Sequence, residues 1–112
     1  MKTLNLSDAD MHELPLSGKV LDTVYGQTEV IVARYPNDRL AIVLECMEDG
    51  EVITTLTTNL VGAEIADGEV IVKAHDENET FAKLMLATGW FEDTGRRIRN
   101  GFSFFNVWKV LL

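Results

Sequence analysis

Between residues 39 and 47 the chain is apolar on both alternating sets of positions. Leu40, Ile42, Leu44 and Cys46 form one set; Ala41, Val43 and Met47, interrupted by Glu45, form the other. A strand apolar on both faces is covered on both faces, which predicts a central strand here. Residues 48–50 turn this strand into a partner over 51–58, because Asp49-Gly50 between apolar runs is a strong hairpin signal. Thr54, Thr55, Thr57 and Thr58 are β-branched and suit a pleated surface. Upstream, residues 19–25 and 28–35 are β-rich. Gly26-Gln27 between them marks either a hairpin turn or a bulge in one long bent strand. Pro36-Asn37-Asp38 is a turn, since Pro presets φ and Asn and Asp tolerate unusual backbone angles. Residues 59–67 read as a loop and 69–73 as a short strand after Asp67-Gly68.

One segment changes period. Phe81, Leu84, Met85 and Thr88 follow helical spacing, widened by Ala82 and Leu86. Asp76 is the expected N-cap with Glu79 closing a capping box, and Gly89 suits the position after the last helical turn. The helix is therefore predicted over 77–88. Asp93-Thr94-Gly95 and Asn100-Gly101 are two further turn signals, and residues 102–112 form a final, strongly apolar strand. At the start, residues 3–6 suit a short strand. Ser7-Asp8-Ala9-Asp10 has the residue types of a helix start, and Pro15 ends anything helical by Leu14. The order of strands, one helix and strands predicts an α+β fold: a mainly antiparallel sheet of five to seven strands with one helix packed on a face. No linker or internal repeat interrupts it, so a single domain over 1–112 is expected.

Composition agrees. The 112 residues are 46% hydrophobic, enough for a core without staples. A lone cysteine, Cys46, allows no intrachain disulfide and fits a reducing cytoplasm. Residues 1–6 lack the apolar run of a signal peptide, and no stretch reaches the ~20 apolar residues of a membrane helix.

Charge adds an asymmetry. The net charge is −8, and all 18 acidic residues precede Thr94. From Thr94 onward there are four basic residues, Arg96, Arg97, Arg99 and Lys109, and no acid. Such a negative body suits solubility and basic partners and argues against general duplex binding.

Candidate chemistry is sparse. Cys46 sits between apolar residues and acids that would raise its thiol pKa, so it reads as an inert core residue. Ser7, Ser17 and Ser103 lack a nucleophile context. His12 and His75 are the only histidines, and no ligand spacing typical of a metal site surrounds them. Calcium-loop and phosphate-loop patterns are missing as well. No catalytic residue, metal or cofactor is expected, and the chain reads as a non-enzyme. The binding candidates are acidic: Glu45, Glu48, Asp49 and Glu51 around the first hairpin, and Glu64, Asp67 and Glu69 around the loop. Asp76, Glu77 and Glu79 are accounted for by helix capping and dipole. An alternative patch is basic and aromatic, Arg96, Arg97, Arg99 and Trp108 with Phe102 and Phe104 beside them. In a strand, Arg97 and Arg99 lie opposite Ile98.

From Tyr25-Gly26 to the C-terminus the chain resembles a small uncharacterised domain family of bacterial mobile elements and gut bacteria. The cues are the Asp49-Gly50 hairpin, Leu56-Thr57-Thr58-Asn59-Leu60, Asp76-Glu77-Asn78-Glu79, and Thr94-Gly95-Arg96 followed by Gly101-Phe102. The resemblance implies no catalytic residues. It implies a phage or mobile-element setting and a location in the host cytoplasm. The leading expectation is an acidic binding protein that engages a basic host protein or nucleoprotein complex of the CRISPR or restriction type, with carboxylates standing in for phosphates. The alternatives are a structural or regulatory homo-oligomer such as a homodimer paired through the final strand, and a phosphate or nucleic-acid binder using Arg96–Arg99.

Overall fold

The computed structural model describes residues 15–112. The strand expected at residues 3–6, the helical start at Ser7 and the histidine His12 lie outside the described residues. Seven strands form: β1 (Val20–Thr23), β2 (Gly26–Arg34), β3 (Leu40–Cys46), β4 (Val52–Thr55), β5 (Glu69–Val72), β6 (Phe91–Asn100) and β7 (Ser103–Val110). A 3-10 turn (Asp76–Asn78) runs into one helix, α1 (Glu79–Ala87). Every pairing between these strands is antiparallel. The fold is α+β, but the strands are shared between two sheets rather than gathered in one. The orders are β1-β2-β3-β4 and β5-β7-β6. The chain divides into two compact units, Met1–Thr55 and Leu56–Leu112, with one sheet in each.

In the first unit β3 is an inner strand, and Leu40 through Glu45 are buried on both faces, as the doubled apolar pattern demands. The turn between β1 and β2 falls at Val24-Tyr25, two positions before the expected Gly26-Gln27. Thr23 causes this: its Oγ1 accepts the Tyr25 N–H at 3.0 Å, which pins the reversal ahead of Gly26. Gly26 then opens β2 with φ 92°, a conformation a side chain would strain. The Asp49-Gly50 hairpin forms where its residues placed it. The Gly50 N–H donates to the Cys46 carbonyl at 2.8 Å, and Asp49 Oδ1 accepts the Glu51 N–H at 3.0 Å.

The partner strand expected over 51–58 is broken. Val52–Thr55 pairs with β3, whereas the next residues pair with β5 in the second unit. There the Thr58 N–H donates to Ile71 at 2.9 Å and the Lys73 N–H to Leu56 at 3.0 Å. The threonine run suits either sheet, so local pattern marks no division between Thr55 and Leu56.

In the second unit β7 is the middle strand. β6 lies along one side of it, and β5 pairs with Lys109, Trp108, Val107 and Asn106 on the other, so among the described residues the β5 side of Ser103, Phe104 and Phe105 has no partner strand. Helix α1 lies against β6 and buries Phe81, Ala82 and Met85, the centre of the expected stripe. Its start differs from expectation. Asp76 has φ 56°, and neither the 3-10 turn nor α1 has a side-chain cap bond. In that left-handed geometry Asp76 begins the 3-10 turn instead of capping the helix. Gly89, with φ 80°, follows the helix as its residue type predicts.

The Asp93-Thr94-Gly95 signal is not a turn. It is a bulge inside the ten-residue strand β6, across which the partner of Asp93 is Trp108 and that of Arg97 is Asn106. Side chains satisfy the backbone there. Thr94 Oγ1 donates to the Val107 carbonyl at 2.7 Å, and Asp93 Oδ1 accepts the Gly95 N–H at 2.9 Å. Both turns and bulges want Asp and a positive-φ glycine, and they differ only in whether the strand continues. Asn100-Gly101, by contrast, is a true reversal, with Asn100 paired to Ser103.

Candidate functional site

The antiparallel order of the first sheet collects two reversals at one end. β1 finishes there at Thr23, β2 begins at Gly26, β3 finishes at Cys46 and β4 begins at Val52. The Met47 N–H donates to the Gln27 carbonyl at 3.0 Å and extends the β2–β3 ladder between the two turns. A hollow of about 400 Å³ opens here, lined by Tyr25, Gly26, Gln27, Cys46, Met47 and Glu48. Tyr25 is 60% exposed, Met47 48% and Val24 84%. Glu48, Asp49 and Glu51 are exposed beside them, and none makes an ion pair among the described residues. The Arg34–Asp38 ion pair of this unit, at 3.8 Å, belongs to the β2–β3 turn at the opposite end of the sheet.

Glu45 behaves differently from the other three acids of its group. It lies within β3, only 8% exposed, and faces Glu29 across β2 and Val52 across β4. A carboxylate this enclosed presents little surface to a macromolecule. Cys46 is half-buried, with its thiol 3.8 Å from the Tyr25 carbonyl in the wall of the hollow.

Glu64, Asp67 and Glu69 belong to the second unit. Glu69 is engaged internally. Its side chain is 16% exposed, accepts the Ala66 N–H at 2.8 Å and pairs with Arg96 at 3.4 Å. Arg96 also donates to the Glu64 backbone carbonyl at 2.8 Å. Arg96 therefore ties the loop to β6 and leaves the basic patch.

Arg97 and Arg99 are exposed on the other side of β6, opposite Asn106 and Phe104 respectively. Trp108 is 0% exposed and stacks at a tilt 5.5 Å from Phe91, so its ring belongs to the core. Phe104, 55% exposed, takes the place that Trp108 was expected to fill. His75 turns its ring edge to Phe105 at 5.3 Å and lies 3.9 Å from Asp76 Oδ2. No group of three metal-ligating side chains occurs among the described residues. No helix among them is long and apolar enough to cross a membrane.

Sequence reasoning passed over the apolar part of the first unit's end: Val24, Tyr25 and Met47. A signal was present. A two-residue reversal exposes both of its central side chains, and an aromatic or branched residue there has no folding reason to be apolar.

No family model matches the chain, and neither a curated protein nor a solved structure matches it.

Proposed function

We propose that this is a non-catalytic binding protein that grips a basic protein surface with the Glu48–Asp49–Glu51 end of its four-stranded sheet. The carrying observation is a hollow lined by exposed Tyr25, Met47 and Glu48, with exposed Val24 next to Tyr25 and exposed Asp49 and Glu51 following Glu48 on the adjoining hairpin. Interfaces concentrate binding energy in aromatic and aliphatic anchors at the centre and place polar groups on the rim. Here the anchors are apolar and the rim is anionic. The rim would steer a cationic partner to the site, and salt would weaken that steering. The backbone beneath is stiff, because two hairpins and a shared ladder hold it, so little ordering entropy opposes binding.

The family resemblance supplies a setting for the reading. It suggests a phage or mobile element, and in that setting the acidic rim reads as an electrostatic mimic that modulates a basic, nucleic-acid-handling host complex of the CRISPR or restriction type. Of the acids first considered for contact, Glu48, Asp49 and Glu51 carry this reading; Glu45 and Glu69 support it least because the fold encloses them.

The test is capture from host lysate at low and high salt, comparing the native chain with the triple variant E48K/D49K/E51K. The native chain should retain basic proteins at low salt and release them at high salt. The triple variant should retain none of these. Tyr25→Ala should weaken capture while leaving its salt dependence in place. Identical capture by the native chain and the triple variant would overturn the proposal.

A further inference from the structure

The second unit carries a surface of opposite character. β7 is the middle strand of its sheet and carries large apolar residues on both alternating sets, so cover is expected on both faces. On the face that carries Trp108 the cover ends before the hairpin. Trp108 is fully buried, Phe104 four residues earlier is 55% exposed, and Phe102 in the turn is 100% exposed. The bulge at Asp93–Arg97 keeps β6 in phase with this face, so that Arg97 and Arg99 stand on the same side as Phe104. The Arg99 guanidinium carbon lies 6.0 Å from the Phe104 ring centroid, and Arg99 Nε donates to the Gly101 carbonyl at 3.0 Å. Neither arginine has an acidic partner among the described residues, in contrast to Arg96.

We propose that this Arg97–Arg99–Phe104 face, with Phe102 at its tip, binds single-stranded nucleic acid. The chemistry is complementary on two counts. Two arginines two residues apart along a strand have their Cα atoms about 6.8 Å apart on one face, a spacing from which long side chains reach consecutive phosphates of an extended chain. The open Phe104 ring, across the ladder from Arg99, offers a stacking platform to a base of any identity. A duplex does not fit, because its bases are already stacked and cannot reach Phe104. The net charge of −8 also repels a dense polyanion at long range. An acidic peptide would satisfy the arginines and leave the rings without a partner.

The experiment is fluorescence anisotropy with a labelled oligothymidylate of about 10 nucleotides, a length within the reach of single-stranded sites. Three comparison probes are the matching abasic sugar-phosphate chain, the matching duplex and oligoglutamate. The oligothymidylate should bind at least about tenfold tighter than the abasic chain, the effect of stacking one or more bases. Duplex and oligoglutamate should bind more weakly still. The variant R97A/R99A should flatten the slope of log affinity against log salt by about 1.4, the share of two phosphates on a single strand. Phe104→Leu keeps an apolar residue on the sheet and removes the ring; it should cost about tenfold. Arg96→Ala should change affinity by less than about twofold. Unfolding transitions of each variant confirm that the sheet is intact. Absence of oligothymidylate binding, equal affinity for the abasic chain, tighter binding of oligoglutamate, or an unaltered salt slope in folded R97A/R99A would each overturn the proposal.

Discussion

The two acidic groups of this chain have similar composition and different fates. Glu48, Asp49 and Glu51 sit on a hairpin that projects from the end of the first sheet, and the described structure gives none of them a cation. Glu64, Asp67 and Glu69 sit on a loop that Arg96 reaches, and Glu69 is enclosed by that contact. Glu64 and Asp67 are exposed like the hairpin acids, but they adjoin a neutralised Glu69, whereas Glu48, Asp49 and Glu51 adjoin exposed Tyr25 and Met47. The basic strip divides as well. Arg96 lies on the side that meets the loop and is used in folding, while Arg97 and Arg99 lie with Phe104 and remain outward.

The largest expected effect tests whether each sheet has its own core beneath these surfaces. Trp108→Ala in the second unit should destabilise by ~3–5 kcal/mol, and Leu44→Ala in the first by ~2–5 kcal/mol. Both residues are fully buried. Denaturant midpoints check this, and losses under about 1 kcal/mol would mean that the cores are placed wrongly. Next comes the bulge that aims Arg97 and Arg99. Gly95 has φ 83° with no atom near a would-be Cβ, so Gly95→Ala should cost ~1–2 kcal/mol from backbone strain alone. No change in thermal midpoint would contradict the positive-φ bulge.

The contrast between used and unused charge predicts smaller terms. Arg96→Ala should cost about 0.5–1 kcal/mol, because the Arg96 side chain is half exposed and solvent screens the pair. A double-mutant cycle with Glu69→Gln should recover most of that as coupling. A coupling near zero would mean that Arg96 is as available as Arg97. An effect no larger belongs to E48K/D49K/E51K, which should cost about 0.5–1 kcal/mol, nearly all of it from the exposed bond that Asp49 Oδ1 accepts from the Glu51 N–H, since none of the three makes an ion pair among the described residues. A larger loss, read from the same denaturant curves, would mean that the acids serve the fold.

Local residue types revealed much of this fold. β3 was legible because both of its faces are apolar, and the Asp49-Gly50 and Asn100-Gly101 reversals because glycine there follows residues that favour turns. The helix was legible through Phe81, Ala82 and Met85, with Gly89 behind it. The partition into two sheets was not, since Thr54-Thr55 and Thr57-Thr58 look alike and pair in different units. The bulge was hidden because Asp93-Thr94-Gly95 carries the same residues as a turn. At the candidate site, exposure of Glu48, Asp49 and Glu51 followed from their place at a turn. Exchange of Trp108 for Phe104 did not follow, because β7 is apolar on both faces and periodicity cannot say which end of a face stays open.

The central claim is that geometry, and not net charge, makes the first unit's acids a binding surface. The most direct measurement is salt-dependent partner capture by two variants of equal charge change, E48K/D49K in the first unit and E64K/D67K in the second, all four positions being exposed. The account predicts that E48K/D49K loses the basic partner while E64K/D67K retains it at near-native level. Equal losses in the two variants, scaling only with charge, would contradict it.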